Sequence, residues 1–148
     1  MKISAKGRYG LASMVVLAQN YDRGEYMTIV SISQRLDISK IYLEQVFSLL
    51  KRAQLVISTK GAQGGYQLSR TPLEITVYDI LKAIELTLFE KAEKTVPQSA
   101  PEIDGAMQER VFGPLDDQIR QTLSQIHLYD LVQQAEKQKN DENFMFYI

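Results

Sequence analysis

Apolar side chains recur at three- and four-residue spacing through the first fifty residues, and this pattern predicts three helices. The first helix is expected over about Lys6–Tyr21, with Ser4 placed to cap its start. Thr28 opens the second helix, and Ser39 caps a third that ends near Arg52. A tight break separates these last two helices, which is the helix-turn-helix pattern. The second helix of such a pair can lie in the major groove of DNA.

Two short segments with strand character, Leu55–Thr59 and Tyr66–Ser69, flank a glycine-rich stretch at residues 60–65. They predict a β-hairpin, and Pro72 closes this part of the chain. A hairpin directly after a helix-turn-helix is a wing. The expected fold class is therefore mainly α with a small β-hairpin, namely a winged helix-turn-helix domain followed by a long helix.

The chain after the hairpin shows helical spacing again, with one interruption. Thr76 and Asp79 mark a helix start that is close to a capping box. The apolar stripe of this helix comprises Val77, Ile80, Leu81, Ile84 and Leu88. Periodicity is then lost and prolines appear, so residues 87–106 are expected to form a loop or linker. The expected organisation is a DNA-binding domain at 1–86, this linker, and a dimerisation helix with a C-terminal tail at 107–148.

A second apolar stripe follows the linker and predicts a long helical region. Its members are Met107, Val111, Leu115, Ile119, Leu123 and Ile126. Pro114 lies within this stripe, so the pattern leaves open whether a helix begins there or a longer helix kinks there. Leu128 begins a last short helix. The polar run Glu136–Asn143 is expected to be flexible, and five apolar or aromatic residues end the chain.

Composition excludes several kinds of chemistry. The chain has 148 residues, the size of one ordinary domain, and it has no cysteine. Disulfides, thiolate nucleophiles and cysteine-ligated metal sites are therefore excluded. The single histidine, His127, is expected to cap or pack at a helix joint, and no activated nucleophile or acid–base set points to an enzyme. No apolar run reaches the ~20 residues that span a bilayer, and the N-terminus lacks a signal peptide's apolar centre, so a cytoplasmic protein is expected.

The net charge of −1 conceals a division of charge along the chain. Residues 1–70 contain ten Lys and Arg against four Asp and Glu, a net of +6, whereas residues 71–148 contain seven against fourteen, a net of −7. A basic half that carries a helix-turn-helix suggests contact with a polyanion.

Polar and basic side chains cluster on the elements that would face DNA. On the third helix, Lys40 and Tyr42 are expected to reach phosphates or base edges. Gln45 can form two hydrogen bonds with an adenine, and Glu44 can accept a hydrogen bond from a cytosine amino group. The N-terminal arm and first helix add positive charge, and the wing tip combines side chains with glycines that allow close backbone approach; these residues are Lys2, Lys6, Arg8, Lys60, Gln63 and Gly64. The alternative is that these faces are solvated and that the wing contacts proteins, as in an adaptor.

Four segments, met in this order, resemble the Rrf-type winged-helix repressors of bacteria. They are Met1–Leu11, Tyr42–Gln45, Lys60–Ser69 and His127–Leu131, and the resemblance covers essentially the whole chain. The opening run and the terminal residues are most similar to the cysteine-metabolism repressors of this family. The resemblance implies a two-fold dimer in which a long helix, continuous through Pro114, crosses its partner along the second apolar stripe.

A symmetric dimer of this kind presents two recognition helices about one DNA turn apart, which implies an inverted-repeat operator. The positions that match the family's DNA contacts are Arg8, Tyr9, Ser39, Lys40, Tyr42, Glu44 and Lys60–Gln63. The family more often has arginine where this chain has Lys60, and lysine keeps the charge but lacks the bidentate guanidinium.

The sensing segment departs from the family. Members that bind an iron–sulfur cluster carry three cysteines between the fourth helix and the dimer helix, and this chain has none there, so no cofactor is expected. The signal must then arrive through a partner or a ligand, and a small molecule bound between the wing domain and the dimer helix is one alternative. The cysteine-metabolism repressors use O-acetylserine thiol-lyase as corepressor. The expected docking segment is the terminal run Phe144, Met145, Phe146, Tyr147 and Ile148, unless it packs on its own dimer.

Overall fold

The computed structural model describes residues 2–62, 64–91, 96 and 98–146, and of Phe146 only the backbone. Its first helix, α1, spans Ala5–Gln19, and the Ser4 hydroxyl accepts a hydrogen bond from the Gly7 N–H at 3.1 Å. The expected cap is confirmed. The helix ends two residues before the predicted Tyr21, because Asn20 leaves the helical backbone and a 3₁₀ turn follows at Tyr21–Arg23.

The helix-turn-helix consists of α2 at Ile29–Leu36 and α3 at Lys40–Arg52. Thr28 and Ser39 cap these helices through their side chains, as the sequence predicts. Asp37 ends α2 in the left-handed region with φ 54°, which turns the chain sharply into α3. Leu43, Val46, Phe47 and Leu50 form the buried side of α3, so its opposite side faces solvent.

The wing is an antiparallel hairpin of β1 at Val56–Thr59 and β2 at Gly65–Leu68. The predicted first strand begins one residue too early, and the predicted second strand lies one residue too far along the chain. Met27, just before α2, exchanges two backbone hydrogen bonds with Tyr66, at 2.8 and 2.7 Å, and so extends the sheet by one bridge. Gly65 lies at φ 150°, and a Cβ there would collide with the carbonyl of Met27. Only glycine therefore fits where β2 passes the segment before α2.

Helix α4 spans Val77–Ile84 and begins with a complete capping box between Thr76 and Asp79. Leu88 does not belong to its stripe, because the helix ends at Ile84 and Glu85 has a non-helical ψ of 84°. The Glu85 carboxylate instead accepts hydrogen bonds from the backbone N–H and the hydroxyl of Ser4, at 2.8 and 2.6 Å. This contact joins the two ends of the winged-helix domain.

The long helical arm begins within the predicted linker. Helix α5 spans Pro101–Met107, a π-helical turn follows at Gln108–Phe112, and α6 spans Gly113–Ser124. Prediction of a loop up to residue 106 was therefore wrong for its last residues, where proline in the first turn and the nearby acidic residues Glu102 and Asp104 favour a helix start.

The helical arm runs through Pro114 without a break. In the π-turn, the N–H of Gly113 bonds to the Gln108 carbonyl five residues back, and α6 then has Pro114 in its first turn. The wider turn accommodates a residue that lacks an N–H and whose ring crowds the preceding turn. Continuity through Pro114, implied by the resemblance, is confirmed, and a helix that only begins there is ruled out.

Helix α7 is longer than the pattern suggests, spanning Leu128–Phe146. The expected flexibility of Glu136–Asn143 is wrong, because this run consists largely of good helix formers and has no glycine or proline. The helix is anchored at its start, where Leu128 is fully buried and a bridge pairs Thr76 with His127. His127 lies at the joint before α7, and its backbone N–H donates to the Asp130 carboxylate at 2.8 Å.

The core lies within the winged-helix domain and includes the start of α7. Its fully buried members come from α1, α2, α3, β1, α4 and α7 and from the segment before α4: Met14, Ile32, Leu43, Val46, Phe47, Leu50, Val56, Ile75, Ile80 and Leu128. No residue of α5 or α6 is buried. Within the described ranges, no helix is both long and apolar enough to cross a membrane.

Candidate nucleic-acid interface

The solvent side of α3 is the centre of the candidate interface. Lys40, Glu44 and Gln45 are exposed there, as the sequence predicts from their positions off the apolar stripe. The Ser39 hydroxyl is engaged in the cap, where it accepts from the Tyr42 N–H at 3.2 Å. Ser39 therefore orients the first turn of α3, where its carbonyl also accepts a hydrogen bond from the Leu43 N–H at 3.1 Å.

Helix α1 contributes to the same surface. The rings of Tyr9 and Tyr42 meet edge to face with centroids 5.2 Å apart, which fixes α1 against the start of α3. Lys6 lines a shallow depression together with residues of α3, namely Ile41, Glu44, Gln45, Ser48 and Leu49. The structure thus brings Lys6 of α1 beside Glu44 and Gln45 of α3, a grouping that the sequence alone could not give because it spans two helices.

The N-terminal arm, residues 2–4 before α1, is held close to this surface by hydrogen bonds. The Arg8 guanidinium donates to the Ile3 carbonyl at 2.7 Å, and Glu85 holds Ser4 from the end of α4. Gly7 leaves room for that carboxylate, because a Cβ there would collide with it. Arg8 and Lys2 are exposed. Sequence reasoning missed Glu85, since nothing local marks a partner 81 residues away.

The wing tip presents Lys60, which is exposed after β1. Gly64 is buried in the turn, and its N–H donates to the Gly61 carbonyl at 3.0 Å, so this N–H is engaged within the tip. Gln63 lies outside the described residues. The Phe47 and Tyr66 rings, 4.6 Å apart between centroids, attach the wing to α3.

The cations of this surface are not neutralised by carboxylates of the described part of the chain, although Arg8 donates to the Ile3 carbonyl. Among the described residues, Arg70 and Asp79 form an ion pair at 3.5 Å, and no lysine or arginine of the N-terminal arm, α1, α3 or the wing tip has a carboxylate oxygen within 4.0 Å. A positive surface without internal carboxylate partners attracts phosphate groups at long range.

The second apolar stripe lies along the helical arm and is only partly covered. Val111 and Leu115 are each 53% exposed, and Met107, Ile119, Leu123 and Ile126 are half-buried. Ile103 on α5, which the sequence analysis missed, is 52% exposed and extends the apolar surface. The arm rests on the winged-helix domain through α4, where the Arg120 guanidinium lies 6.0 Å from the centre of the Tyr78 ring.

The end of α7 exposes two large apolar side chains, with Phe144 68% and Met145 76% exposed. The backbone of Phe146 continues the helix, while Tyr147 and Ile148 lie outside the described residues.

The sequence pattern of the family described as "Rrf2: Iron-dependent Transcriptional regulator" matches residues 3–134. Donors for a cysteine-ligated iron–sulfur cluster are missing, because the chain has no cysteine. Across the described part of the chain, no three His, Asp or Glu side chains come together in a group that could hold a metal ion. The described residues therefore do not fit the iron-dependent chemistry in the family description.

Proteins of similar sequence and structure support the match to this family. The HTH-type transcriptional regulator CymR of Bacillus subtilis is 35% identical over 148 residues, which is 100% of both chains. The structure of CymR, the global cysteine regulator of B. subtilis, aligns with a TM-score of 0.73 at 32% identity over 90% of this chain and 97% of that one. The T. potens IscR structure aligns with a TM-score of 0.69 at 33% identity, over 93% and 90%.

The winged-helix fold, the exposed recognition helix beside basic residues, and full-length similarity to known regulators support one assignment. This chain belongs to the Rrf2 family of transcriptional regulators.

Proposed function

We propose that the chain is a homodimeric repressor that binds an inverted-repeat operator and controls cysteine and sulfur metabolism without an iron–sulfur cluster. The observation that supports DNA contact most directly is the solvent side of α3, where Lys40, Glu44 and Gln45 are exposed beside Lys6. The metabolic role rests on similarity to a protein described as a global cysteine regulator.

The proposed dimer rests on the helical arm. Its apolar stripe leaves Val111 and Leu115 about half exposed on helices with no buried residue, and such a surface is unfavourable in water unless it is covered. A second copy covers it with the same residues in an isologous contact. Two recognition helices then face one side of the DNA, and the operator is expected to be an inverted repeat.

Binding of an inverted-repeat duplex by the full chain is expected to weaken steeply as salt rises. Each phosphate that a lysine or arginine neutralises contributes about −0.9 to the slope of log K against log salt. The variant Lys60→Ala is expected to lower the magnitude of this slope by about 1 per half-site and to weaken binding to all sequences alike. Fluorescence anisotropy between about 50 and 200 mM salt measures both effects.

Lys137→Ala is the matched control, because Lys137 is an exposed lysine on α7, in the acidic half of the chain. It is expected to leave the slope unchanged. Affinity that does not fall with salt would contradict phosphate contact and favour a protein–protein adaptor instead.

The corepressor proposal concerns the C-terminus. Phe144 and Met145 are exposed at the end of a 19-residue helix, so these two side chains are accessible to a partner. We propose that the segment Phe144–Ile148 docks into O-acetylserine thiol-lyase through its apolar and aromatic side chains.

Removal of residues 144–148 is expected to weaken binding to the purified thiol-lyase at least tenfold, because the apolar and aromatic anchors are lost together. Calorimetric titration of both forms measures this. A free peptide of the same five residues is expected to compete with the full chain. The truncated form must keep its DNA affinity as a control, and undiminished thiol-lyase binding would contradict the proposal.

A further inference from the structure

Ile41 is an exposed aliphatic residue on the recognition helix. It is the second residue of α3 and is 72% exposed, which among the exposed large apolar residues of the described ranges only Met145 exceeds, at 76%. It lies off the buried stripe of α3, and isoleucine is a poorer helix former than alanine or lysine. Neither packing nor helix propensity therefore explains an isoleucine here.

The surroundings of Ile41 are polar. The depression that it lines is otherwise formed by Lys6, Glu44, Gln45 and Ser48, with Leu49 half-buried at its edge. A single aliphatic side chain among charges and amides is too small for a protein docking surface, which needs a contiguous apolar area. The Ile41 side chain is instead the right size to contact a single methyl group.

We propose that Ile41 contacts the C5-methyl group of a thymine in the major groove and so selects thymine at one position of each half-site. The methyl group is the apolar feature that distinguishes thymine there, and aliphatic side chains are suited to contact it. Gln45 is one helical turn further along α3, in the same depression, and its amide is placed for a nearby adenine. This inference rests on the proposed DNA binding.

The test replaces thymine by uracil, one position at a time, in a duplex selected from a random pool by the full-length protein. This change removes only the methyl group and keeps every hydrogen-bonding group of the base. At one position per half-site, the affinity of the unchanged protein is expected to fall about fourfold, as for one buried methyl-sized group. Ile41→Ala is expected to bind the thymine duplex several-fold more weakly and to lose this dependence, because thymine and uracil then bind alike.

Ile41→Val is expected to keep part of the methyl dependence, and Leu73→Ala, which truncates an exposed residue before α4, to keep all of it. The thymine-to-uracil ratio is measured within one protein sample, so partial misfolding of a variant does not change it. An unchanged ratio in Ile41→Ala, or no sensitive thymine for the unchanged protein, would overturn the role of Ile41 while leaving DNA binding intact. Failure to select any duplex would overturn the proposed function as well.

Discussion

Leu115→Glu is expected to convert the protein to monomers and to weaken binding to an inverted-repeat duplex about a hundredfold or more. Leu115 is 53% exposed near the centre of the apolar stripe, next to Val111 at the same exposure. A carboxylate buried in an apolar interface, once in each copy, costs several kcal/mol. Loss of the dimer also removes the second half-site contact, whose linkage strengthens binding by about 10² to 10⁴.

Analytical ultracentrifugation of the variant and anisotropy with full-site and half-site duplexes test this prediction. Gln121→Glu is the matched control, because it adds the same charge at an exposed position of α6 outside the stripe. The control is expected to remain dimeric. Half-site affinity is expected to be unchanged in Leu115→Glu, which would show that α3 keeps its structure. A variant that still sediments as a dimer would contradict the proposed interface.

Phe47→Ala is expected to lower the free energy of unfolding by about 3–5 kcal/mol, a large part of the 5–15 kcal/mol that is usual for a domain. Phe47 is fully buried in α3, and its ring lies 4.6 Å from that of Tyr66 on the wing. The substitution leaves a cavity between the recognition helix and the wing, so both parts of the DNA surface lose their common support. Urea and thermal denaturation at one protein concentration measure the loss, with a melting temperature about 10 °C lower.

Phe144→Ala removes the same ring from a site that is 68% exposed, and so serves as the control. Its effect on the free energy of unfolding is expected to stay within about 0.5 kcal/mol. Equal losses in the two variants would mean that Phe47 does not support the core.

Local chemistry made the helix starts predictable. A cap depends on one side chain and an N–H two or three residues later, so Ser4, Thr28, Ser39 and Thr76 could be recognised without knowledge of the fold. The buried stripe of α3 was equally accessible, because helical spacing by itself defines a face. The exposed side of α3 followed as its complement, although the sequence reasoning left Ile41 out of the candidate site.

The ends of helices and the interrupted helical segments were harder to predict from the sequence. Pro114 suggested a break, and only the π-turn before it shows how the helical arm continues. The end of α4 at Ile84 coincides with the long-range contact between Glu85 and Ser4, which spacing in the sequence cannot reveal. The polar composition of Glu136–Asn143 suggested flexibility, although the same residues are good helix formers that extend an anchored helix.

Residue type and near-neighbour spacing were enough to identify the helix caps, most of each apolar stripe, the absence of cysteine chemistry and the basic character of the first 70 residues. The packing of the helices fixes which side chains share a surface. It set Lys6 beside Glu44 and Gln45, tied the N-terminal arm to the end of α4, and left Ile41 exposed among polar groups. Contacts between distant segments depend on how whole helices pack. Close packing of the apolar faces in the core fixes the positions of the helices, and these positions determine which surface side chains become neighbours.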